Sequence, residues 1–254
     1  MGILEAMRLD GKKALVTGGA RGIGKSIAIA LAQCGADIAI VDLDEPEALK
    51  TAAELRELGG DAIAVKADVT DPEQVDQMMQ AIVNYYGQLN IAFCNAGICI
   101  NRPAKDMTLA EWQAVIDINL TGVFLTAQAA GRQMIKQGGG GSIINTASMS
   151  GHIVNVPQPQ CGYNASKAGV ILLTKSLAIE WAQYGIRVNS ISPGYIGTEL
   201  TAGSPFKDQW NEMAPLHRLG QPEELQSIAV LLAGDSCPFT TGSDFIIDGA
   251  FTCI

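Results

Sequence analysis

The sequence predicts a single α/β domain over residues 1–254, in which seven parallel strands form one doubly wound sheet flanked by helices. Short apolar runs rich in Val and Ile alternate with longer segments of helical period, which is typical of βαβ units. A length of 254 residues suits one large domain with a substantial buried core. A glycine-rich turn between the first strand and the first helix favours the same class.

Strands and helices alternate along the whole chain. The predicted strands are Lys13–Thr17, Asp37–Val41, Ala62–Lys66, Asn90–Cys94, Gly141–Thr146, Ile186–Ile191 and Asp244–Ile247. The predicted helices are Ile23–Cys34, Glu45–Leu58, Pro72–Tyr86, Leu109–Lys136, Tyr163–Tyr184 and Pro222–Leu232. Asp71 before Pro72 and Thr108 before Glu111 are helix start signals, and the run Gly138–Gly141 predicts a helix C-cap and a turn.

Residues 198–220 form the least regular segment, because Gly, Pro and isolated aromatic residues interrupt any period. We interpret this segment as a small mobile lid that covers a substrate. The alternative is an irregular excursion of the surface.

Composition argues against several partners. The chain has 17 Lys and Arg against 26 Asp and Glu, a net charge of -9, whereas nucleic acids and anionic membranes require clustered basic side chains. Solubility is the simpler account of this charge. Apolar runs stay well short of the ~20 residues of a membrane helix, and the first residues lack the regions of a signal peptide. We therefore predict a cytoplasmic protein that acts on a small molecule.

The six cysteines predict neither a metal site nor a disulfide framework. They are scattered without a Cys-x-x-Cys pair, and the chain has only two histidines. Buried, reduced thiols are the expected state. Cys161 is the exception, because it lies two residues before Tyr163 and is a candidate for exposure at a site; a structural or incidental role is favoured over a nucleophilic one.

A glycine-rich turn, Thr17-Gly-Gly-Ala-Arg-Gly-Ile-Gly24, opens the first predicted helix. Gly18, Gly22 and Gly24 leave room for a pyrophosphate to approach backbone N–H groups at the helix N-terminus, where the helix dipole favours negative charge. The turn therefore predicts a dinucleotide site.

The second predicted strand ends at Asp42, whose carboxylate suits the ribose hydroxyls of NAD and repels the 2′-phosphate of NADP. Arg21 favours that phosphate instead. We give Asp42 more weight and predict NAD(H) over NADP(H). The alternative is a solvated acid beside Asp44 and Glu45.

Two further groups follow predicted strands. Asp68 comes after the third strand and Asn95-Ala96-Gly97 after the fourth. In an open α/β sheet, ligands bind in the crevice outside the carboxyl ends of the strands. Asp68 suits the adenine amino group, and Gly97 permits close approach of backbone to ribose; turn chemistry alone is the alternative for either residue.

A phenol and an ammonium, Tyr163 and Lys167, stand four residues apart and share a helical face. A nearby cation favours the phenolate and is expected to lower the pKa of Tyr163 toward the range of a general acid or base. A solvated helix face is the alternative.

The motifs that carry a family resemblance are Thr17–Gly24, Asp68, Asn95-Ala96-Gly97, Asn119, Ser148, the pair Tyr163 and Lys167, and the loop Pro193–Thr198. Through them the chain resembles the short-chain dehydrogenase/reductase family along nearly its whole length. The resemblance implies a Rossmann-like domain in which Tyr163 is the acid/base, Ser148 holds the substrate oxygen, Lys167 binds the nicotinamide ribose and Asn119 supports a water relay. The resemblance also implies that the loop Pro193–Thr198 contacts the carboxamide group of the nicotinamide. The expected cofactor contacts are Thr17, Gly18, Arg21, Gly22, Ile23, Gly24, Asp42, Leu43, Asp68, Val69, Asn95, Ala96, Gly97, Tyr163, Lys167, Pro193, Gly194, Ile196 and Thr198.

Asn119 and Ser148 also have plainer interpretations. In mid-helix, Asn119 is interpreted as bending the hydrogen-bond ladder to admit water, and the alternative is that it simply caps or kinks a helix. Ser148 lies among small residues that suit a strand end.

The loop after Ser148 resembles that of polyol dehydrogenases and ketose reductases, in which the positions of Ser150 and Asn155 lie near the substrate. A sugar alcohol requires many hydrogen bonds. The side chains able to supply them near Tyr163 are Ser150, His152, Asn155, Gln158 and Gln160. A polar loop in contact with water alone is the alternative.

We therefore expect an NAD(H)-dependent oxidoreductase that interconverts a secondary alcohol and a ketone, most simply a polyol and a ketose. The rivals are a 3-oxoacyl-thioester reductase, a carbonyl reductase for apolar ketones, and a dinucleotide-binding regulatory protein without catalysis. The family resemblance implies a homotetramer, and the apolar tail Ala250–Ile254 is expected to be buried.

Overall fold

A computed structural model describes residues 2–253 and contains one seven-stranded parallel sheet in the order β3-β2-β1-β4-β5-β6-β7. The strands are β1 (Lys13–Thr17), β2 (Asp37–Asp42), β3 (Ala62–Lys66), β4 (Ile91–Cys94), β5 (Gly141–Thr146), β6 (Ile186–Pro193) and β7 (Asp244–Ile247). The predicted fold class is therefore confirmed. Met1 and Ile254, which belong to the predicted domain and to the predicted apolar tail, lie outside the described residues.

The described residues form ten α-helices, of which the first precedes β1 and the others connect or follow the strands. They are α1 (Ile3–Ala6), α2 (Gly22–Gln33), α3 (Glu45–Arg56), α4 (Pro72–Tyr86), α5 (Leu109–Ile116), α6 (Gly122–Gln137), α7 (Cys161–Trp181), α8 (Glu199–Ala202), α9 (Lys207–Met213) and α10 (Gln226–Ala233). The predicted start signals act as caps: the side chain of Asp71 accepts from Glu73 N and Gln74 N, and Thr108 forms a capping box with Glu111.

Both faces of the sheet are covered, because consecutive strand residues alternate between two cores. Val16 and Ile40 pack into the core that also contains apolar side chains of α2, α3 and α10. Leu15 and Val41 pack into the opposite core with apolar side chains of α4, α6 and α7. This alternation accounts for the continuously apolar strands of the sequence.

The chain reverses its direction of travel across the sheet at β1. After β1 it forms β2 and β3 on one side, and then returns so that β4 pairs with the other side of β1. Such a switch point opens a crevice at the carboxyl ends of the two strands. The turns that follow β1 and β4, which carry Gly18 and Asn95, border that crevice.

The predicted helix Leu109–Lys136 is wrong in one respect, because a single π-helical turn at Asp117–Thr121 separates α5 from α6. By length and composition alone the stretch Leu109–Gln137 would also suit a membrane span, with a mean hydropathy of 1.2 in its most apolar window. Half of that window is buried inside the fold, as in a core helix of a globular protein.

Residues 198–220 contain the short helices α8 and α9, which the sequence did not predict. The two ends of this segment are tied together, since Gly197 N donates to Gly220 O at 2.8 Å and Gly220 N donates to Tyr195 O at 2.9 Å. It is therefore a compact excursion held at its base. In the tail, Phe251 is buried against Met149 and Ala214 of its own chain.

Candidate active site

Two cavities open at the carboxyl ends of the strands and meet at Tyr163. The first has a volume of about 460 Å³ and runs from Arg21 and Asp42 to Lys167. The second has a volume of about 340 Å³ and contains Ser148 and Ser150 in its wall. The residues that line both are Ile23, Thr146, Tyr163, Thr198 and Leu200. A group that occupies one cavity can therefore contact a group in the other beside the Tyr163 ring.

The first cavity begins at the glycine turn. Gly18 and Gly22 have positive φ values of 59° and 56°, which fit residues without a Cβ atom. Helix α2 starts after Arg21 with no side-chain cap and with no acidic residue in its first turn. Its first backbone N–H groups are thus left for an anion, in the field of the positive end of the helix.

Thr17, Gly24 and Asn95, which are predicted cofactor residues, hold the glycine turn in place. The Thr17 hydroxyl accepts from Asn95 N at 3.0 Å and from Ala96 N at 3.2 Å. The Asn95 amide donates to Thr17 O and Gly18 O, both at 3.2 Å. A Cβ atom on Gly24 would lie 2.1 Å from Gly18 O, so glycine there permits the helix to approach the turn. Thr17 and Gly24 lie outside the cavity wall, whereas Asn95 and Ala96 contribute to it.

Asp42 lies at the far end of the first cavity, as the strand pattern predicts. Its carboxylate accepts from Ala20 N and from Asp44 N, both at 3.1 Å. The guanidinium of Arg21 forms ion pairs with Asp44 and, at 3.5 Å, with Glu199 of α8. Arg21 therefore already has two carboxylate partners, one of them on the predicted lid.

The middle of this cavity is lined by the residues that follow β3 and β4, together with Leu43 after β2. The Asp68 carboxylate accepts from Thr70 N at 2.8 Å and from Thr70 Oγ1 at 2.7 Å, and Val69 lies beside it in the wall. A Cβ atom on Gly97 would lie 3.3 Å from Asn119 Oδ1 and 3.6 Å from Lys167 Nζ. The bare backbone of Gly97 thus keeps the cavity open beside two polar groups.

Tyr163 and Lys167 project from α7 at the junction. Lys167 Nζ donates to Thr146 O at 2.7 Å and lies 5.6 Å from the centroid of the Tyr163 ring. Burial raises the pKa of Tyr163 to about 12, with a further increase from Cys99 and a partial decrease from its hydrogen bond with Ser148. The expectation that Lys167 lowers this pKa is therefore wrong for this structure, since loss of hydration is the larger effect.

Burial also lowers the pKa of Lys167 to about 8, because an ammonium loses hydration inside the fold. Near neutral pH the junction therefore holds a protonated phenol beside an ammonium that remains largely protonated. This pair can donate a proton to an oxygen atom held by Ser148.

Asn119 lies in the π-helical turn and is fully buried. Its Oδ1 accepts from Ile98 N at 2.8 Å, and its Nδ2 donates to Ile98 O at 2.9 Å and to Ser166 Oγ at 3.1 Å. The π-helical turn interrupts the regular α-helical hydrogen-bond ladder at Asn119, and the extra residue of the turn accompanies these contacts. Asn119 lies in the interior behind Gly97, where it fixes the chain after β4 relative to α7.

The wall of the second cavity contains both polar and aromatic side chains. The polar ones include Ser148, Ser150, Gln158 and Gln160. The aromatic ones are Tyr195 and Trp210, whose rings stack at 4.2 Å with an interplanar angle of 10°. Pro193, Gly194 and Ile196 also belong to its wall.

Two residues expected near the substrate lie elsewhere. Asn155 is buried behind the wall, where its Nδ2 donates to Tyr195 Oη at 3.1 Å and its Oδ1 accepts from Gln160 Nε2 at 3.1 Å. Its polar atoms are used to position the wall. The His152 ring pairs with Asp244 at 2.7 Å and does not line the cavity.

The structure also adds residues that the sequence did not single out. Cys99 lines the second cavity, and burial raises its pKa to about 11 although Lys167 lowers it in part. Cys161, the predicted exception among the thiols, is exposed but lies outside both cavity walls. Leu200 of α8 lines both cavities. Leu200 lies in the segment 198–220 that the sequence predicts as a lid, although no pattern there singles out this residue.

The described residues contain no group of His, Cys, Asp and Glu side chains suited to a metal ion. Their fit to a dinucleotide rests on the uncapped α2 N-terminus, the open floor at Gly97 and the buried ammonium of Lys167. The N-terminus of α2 suits a phosphate group, and the Lys167 ammonium beside Gly97 suits the hydroxyl groups of a ribose and the ring attached to it.

Known proteins resemble this chain over nearly its whole length. A family model described as enoyl-(acyl carrier protein) reductase matches residues 18–252. The chain is 42% identical over 255 residues to sorbose reductase of Candida albicans, covering 99% of this chain and 90% of that protein. It is 41% identical over 259 residues to a probable NADP-dependent mannitol dehydrogenase of Yarrowia lipolytica, covering 99% and 91%. The crystal structure of a short-chain type dehydrogenase/reductase from Mycobacterium marinum superposes with a TM-score of 0.98 at 46% identity, over 100% of both chains.

Proposed function

Because the chain belongs to the short-chain dehydrogenase/reductase family, we propose that it is an NAD(H)-dependent oxidoreductase that interconverts a polyol and a ketose. The observation that carries this proposal is the position of Tyr163 at the junction of the two cavities, with Ser148 in the second cavity and Lys167 in the first. A dinucleotide supplies or accepts the hydride, so the protein must orient the reactants and move one proton.

The residues at the junction divide that work. The Ser148 hydroxyl holds the substrate oxygen beside the Tyr163 phenol, which donates its proton to a ketone and accepts one from an alcohol. Lys167 holds ribose hydroxyls through its ammonium and adds positive charge at the site. Asn119 acts through the backbone of Ile98 and through Ser166, so we assign it a positioning role, and a water relay stays a prediction.

The preference for NAD(H) is supported by the charges around Asp42. A 2′-phosphate there would face the carboxylates of Asp42 and Asp44, and the only nearby cation of the turn, Arg21, is already paired with Asp44 and Glu199. The relative from Yarrowia is named as NADP-dependent, so the comparison of NADH with NADPH is decisive. Similar catalytic efficiency with both would refute the preference.

Polar groups in the second cavity favour a hydroxylated substrate over an apolar one. Ser148, Ser150 and Gln160 offer hydrogen bonds to several hydroxyl groups within a cavity of about 340 Å³. The relative from Candida is named for a ketose, sorbose. A thioester carried on phosphopantetheine would be favoured by a basic surface, and the net charge of -9 offers little support for one.

We further propose that residues 198–220 cover the substrate. Leu200 lines both cavities with its side chain 66% exposed, and Trp210 is buried against Tyr195. The base of the segment is fixed by backbone hydrogen bonds, so closure would be confined to α8 and the turn after it.

A homotetramer in the cytoplasm is the state that we propose for the working enzyme. Leu172 and Ile179 lie seven residues apart on one face of α7 and are 66% and 81% exposed. Such a face suits burial against a second copy of the chain. All six cysteines are free thiols, which supports a reducing compartment. A monomer by light scattering at micromolar concentration would refute the tetramer.

The experiment that tests the function is a panel of polyols and simple secondary alcohols with NAD⁺, followed by NADH absorbance. Turnover with polyols well above that with the simple alcohols supports the proposal. Equal or better turnover of apolar alcohols would favour a carbonyl reductase. Tight NADH binding with no turnover of any substrate would favour a regulatory protein.

A further inference from the structure

We propose that Gln160 selects substrates that carry a hydroxyl group on the carbon next to the reacting carbon, by accepting a hydrogen bond from that hydroxyl through its Oε1 atom. This inference rests on the proposed alcohol and ketone chemistry, and it names the part of the substrate that the second cavity recognises. It is carried by a buried amide whose orientation is fixed and whose acceptor is left for a ligand.

Gln160 occupies the position before the first residue of α7, yet its side chain does not cap the helix. Residues at this position are usually Ser, Thr, Asp or Asn, because a short side chain can reach the free N–H groups of the first turn. The Gln160 side chain instead lies in the cavity wall, only 7% exposed, three residues before Tyr163. The amide is therefore placed for contact with the cavity rather than for helix capping.

The amide nitrogen of Gln160 is fully used by the protein. Its two N–H hydrogens are shared among three acceptors, which are Asn164 Oδ1 at 2.9 Å, Asn155 Oδ1 at 3.1 Å and Ser150 Oγ at 3.2 Å. The Nδ2 atom of Asn155 is engaged with Tyr195, so the atom that Asn155 turns toward Gln160 must be its oxygen. These contacts fix the orientation of the amide and leave Oε1 next to Cys99, which also lines the second cavity.

The oxygen of Gln160 has a weak partner by comparison. Within residues 2–253 its hydrogen-bond contact is with Cys99 Sγ, at 3.7 Å, and a thiol is a poor donor. A buried carbonyl oxygen without a good donor is costly, and a ligand hydroxyl that donates to it removes this cost. Oε1 of Gln160 is thus the acceptor in this wall that a substrate hydroxyl can satisfy.

Ser150 supplies a matching donor. Its oxygen accepts from Gln160 Nε2, and its backbone N–H donates to Ser148 Oγ at 3.1 Å. The hydroxyl hydrogen of Ser150 remains for a ligand, next to the serine that holds the reacting oxygen. A substrate hydroxyl on the neighbouring carbon would accept from Ser150 and donate to Gln160 in one position, which a simple ketone cannot do.

The test compares substrates that differ in one hydroxyl group. Wild-type protein and Gln160→Leu are assayed with NADH and acetoin, then with 2-butanone, and the ratio of the two kcat/KM values is formed. Gln80→Leu, an exposed change on α4 outside both cavities, is the matched control. We expect wild-type protein and the control to favour acetoin by at least about tenfold, and Gln160→Leu to reduce that ratio to about one.

A second measurement uses the unaltered protein, in case Gln160→Leu fails to fold. 3-Methoxy-2-butanone has the same carbon skeleton and an ether oxygen that cannot donate, so its kcat/KM should fall to that of 2-butanone or below. Equal efficiency with the ether and with acetoin would overturn the proposal, as would an unchanged ratio in folded Gln160→Leu. If the wild-type protein reduces none of the three ketones and no ketose, the proposed function itself fails. If folded Gln160→Leu prefers acetoin over 2-butanone as strongly as wild type does, only the inference about Gln160 is refuted.

Discussion

Burial of Lys167 makes the stability of the protein depend on pH in a direction that can be worked out. The side chain is 3% exposed, and burial lowers its pKa from an ordinary 10.5 to about 8. Between these two values the unfolded chain binds more protons than the folded one, so the free energy of unfolding should rise with pH. Lys167→Met removes the titrating group and keeps an apolar chain of similar length.

The size of the effect follows from the two pKa values. A difference of one pKa unit corresponds to about 1.4 kcal/mol, so the charged form of Lys167 costs the fold about 3 kcal/mol near pH 7. About 2 kcal/mol of this cost should disappear by pH 9.5, as the buried ammonium loses its proton. Tyr163 acts in the opposite sense only above pH 10, because its pKa is raised to about 12.

The assay is urea unfolding of wild-type protein and Lys167→Met at several pH values from 7 to 9.5. The stability of the variant relative to wild type should decrease by about 2 kcal/mol across this range. Lys175→Met, an exposed change on the same helix, controls for loss of one positive charge. A relative stability of Lys167→Met that stays constant with pH would refute the argument that burial controls this ammonium.

Three further predictions concern the walls of the cavities. Gly97→Ala should weaken NADH binding by at least about tenfold in a fluorescence titration, because its Cβ atom would crowd Asn119 Oδ1 at 3.3 Å and lie 3.6 Å from the cavity-lining ammonium of Lys167; equal binding by Gly97→Ala and wild type would contradict this. Gly24→Ala should instead destabilise the fold by about 1–3 kcal/mol through the 2.1 Å approach to Gly18 O. Trp210→Ala should lower the free energy of unfolding in urea by about 3 kcal/mol, because the stacking on Tyr195 and a hydrogen bond to Gln158 at 3.0 Å are lost. It should also raise KM for the substrate, and an unchanged KM would argue against the lid. Asp42→Ala should raise the NADPH to NADH ratio of kcat/KM by roughly tenfold, and no change in that ratio would exclude repulsion at this carboxylate.

Much of the fold was predictable because it depends on local periodicity. The strands and their order of connection follow from apolar runs such as Lys13–Thr17, and helix starts follow from caps such as Asp71. Tyr163 and Lys167 could be placed together because four residues is the spacing of one helical face. The glycine turn could be placed because its neighbours along the chain are a strand and a helix.

The remaining parts depend on contacts between distant segments. Asn155 is polar and near Tyr163 in the sequence, which suggested a substrate contact. Its amide nitrogen instead donates to Tyr195, which lies forty residues later in the chain. The pKa of Tyr163 could not be anticipated from Lys167 alone, because the hydration lost on folding depends on every element packed around the ring. Cys99, which follows β4, and Leu200 of α8 both lie in the wall of the second cavity although they are more than a hundred residues apart in the sequence, and no local period predicts this.

The central claim is that Tyr163 transfers the proton in a reaction of NAD(H) with a polyol or ketose. The most direct measurement is the steady-state rate of NADH formation from the best polyol of the panel by wild-type protein and by Tyr163→Phe, with NADH affinity measured on both. We predict that the variant binds NADH within about threefold of wild type, while kcat falls by at least about 100-fold. Full turnover by Tyr163→Phe would contradict the account.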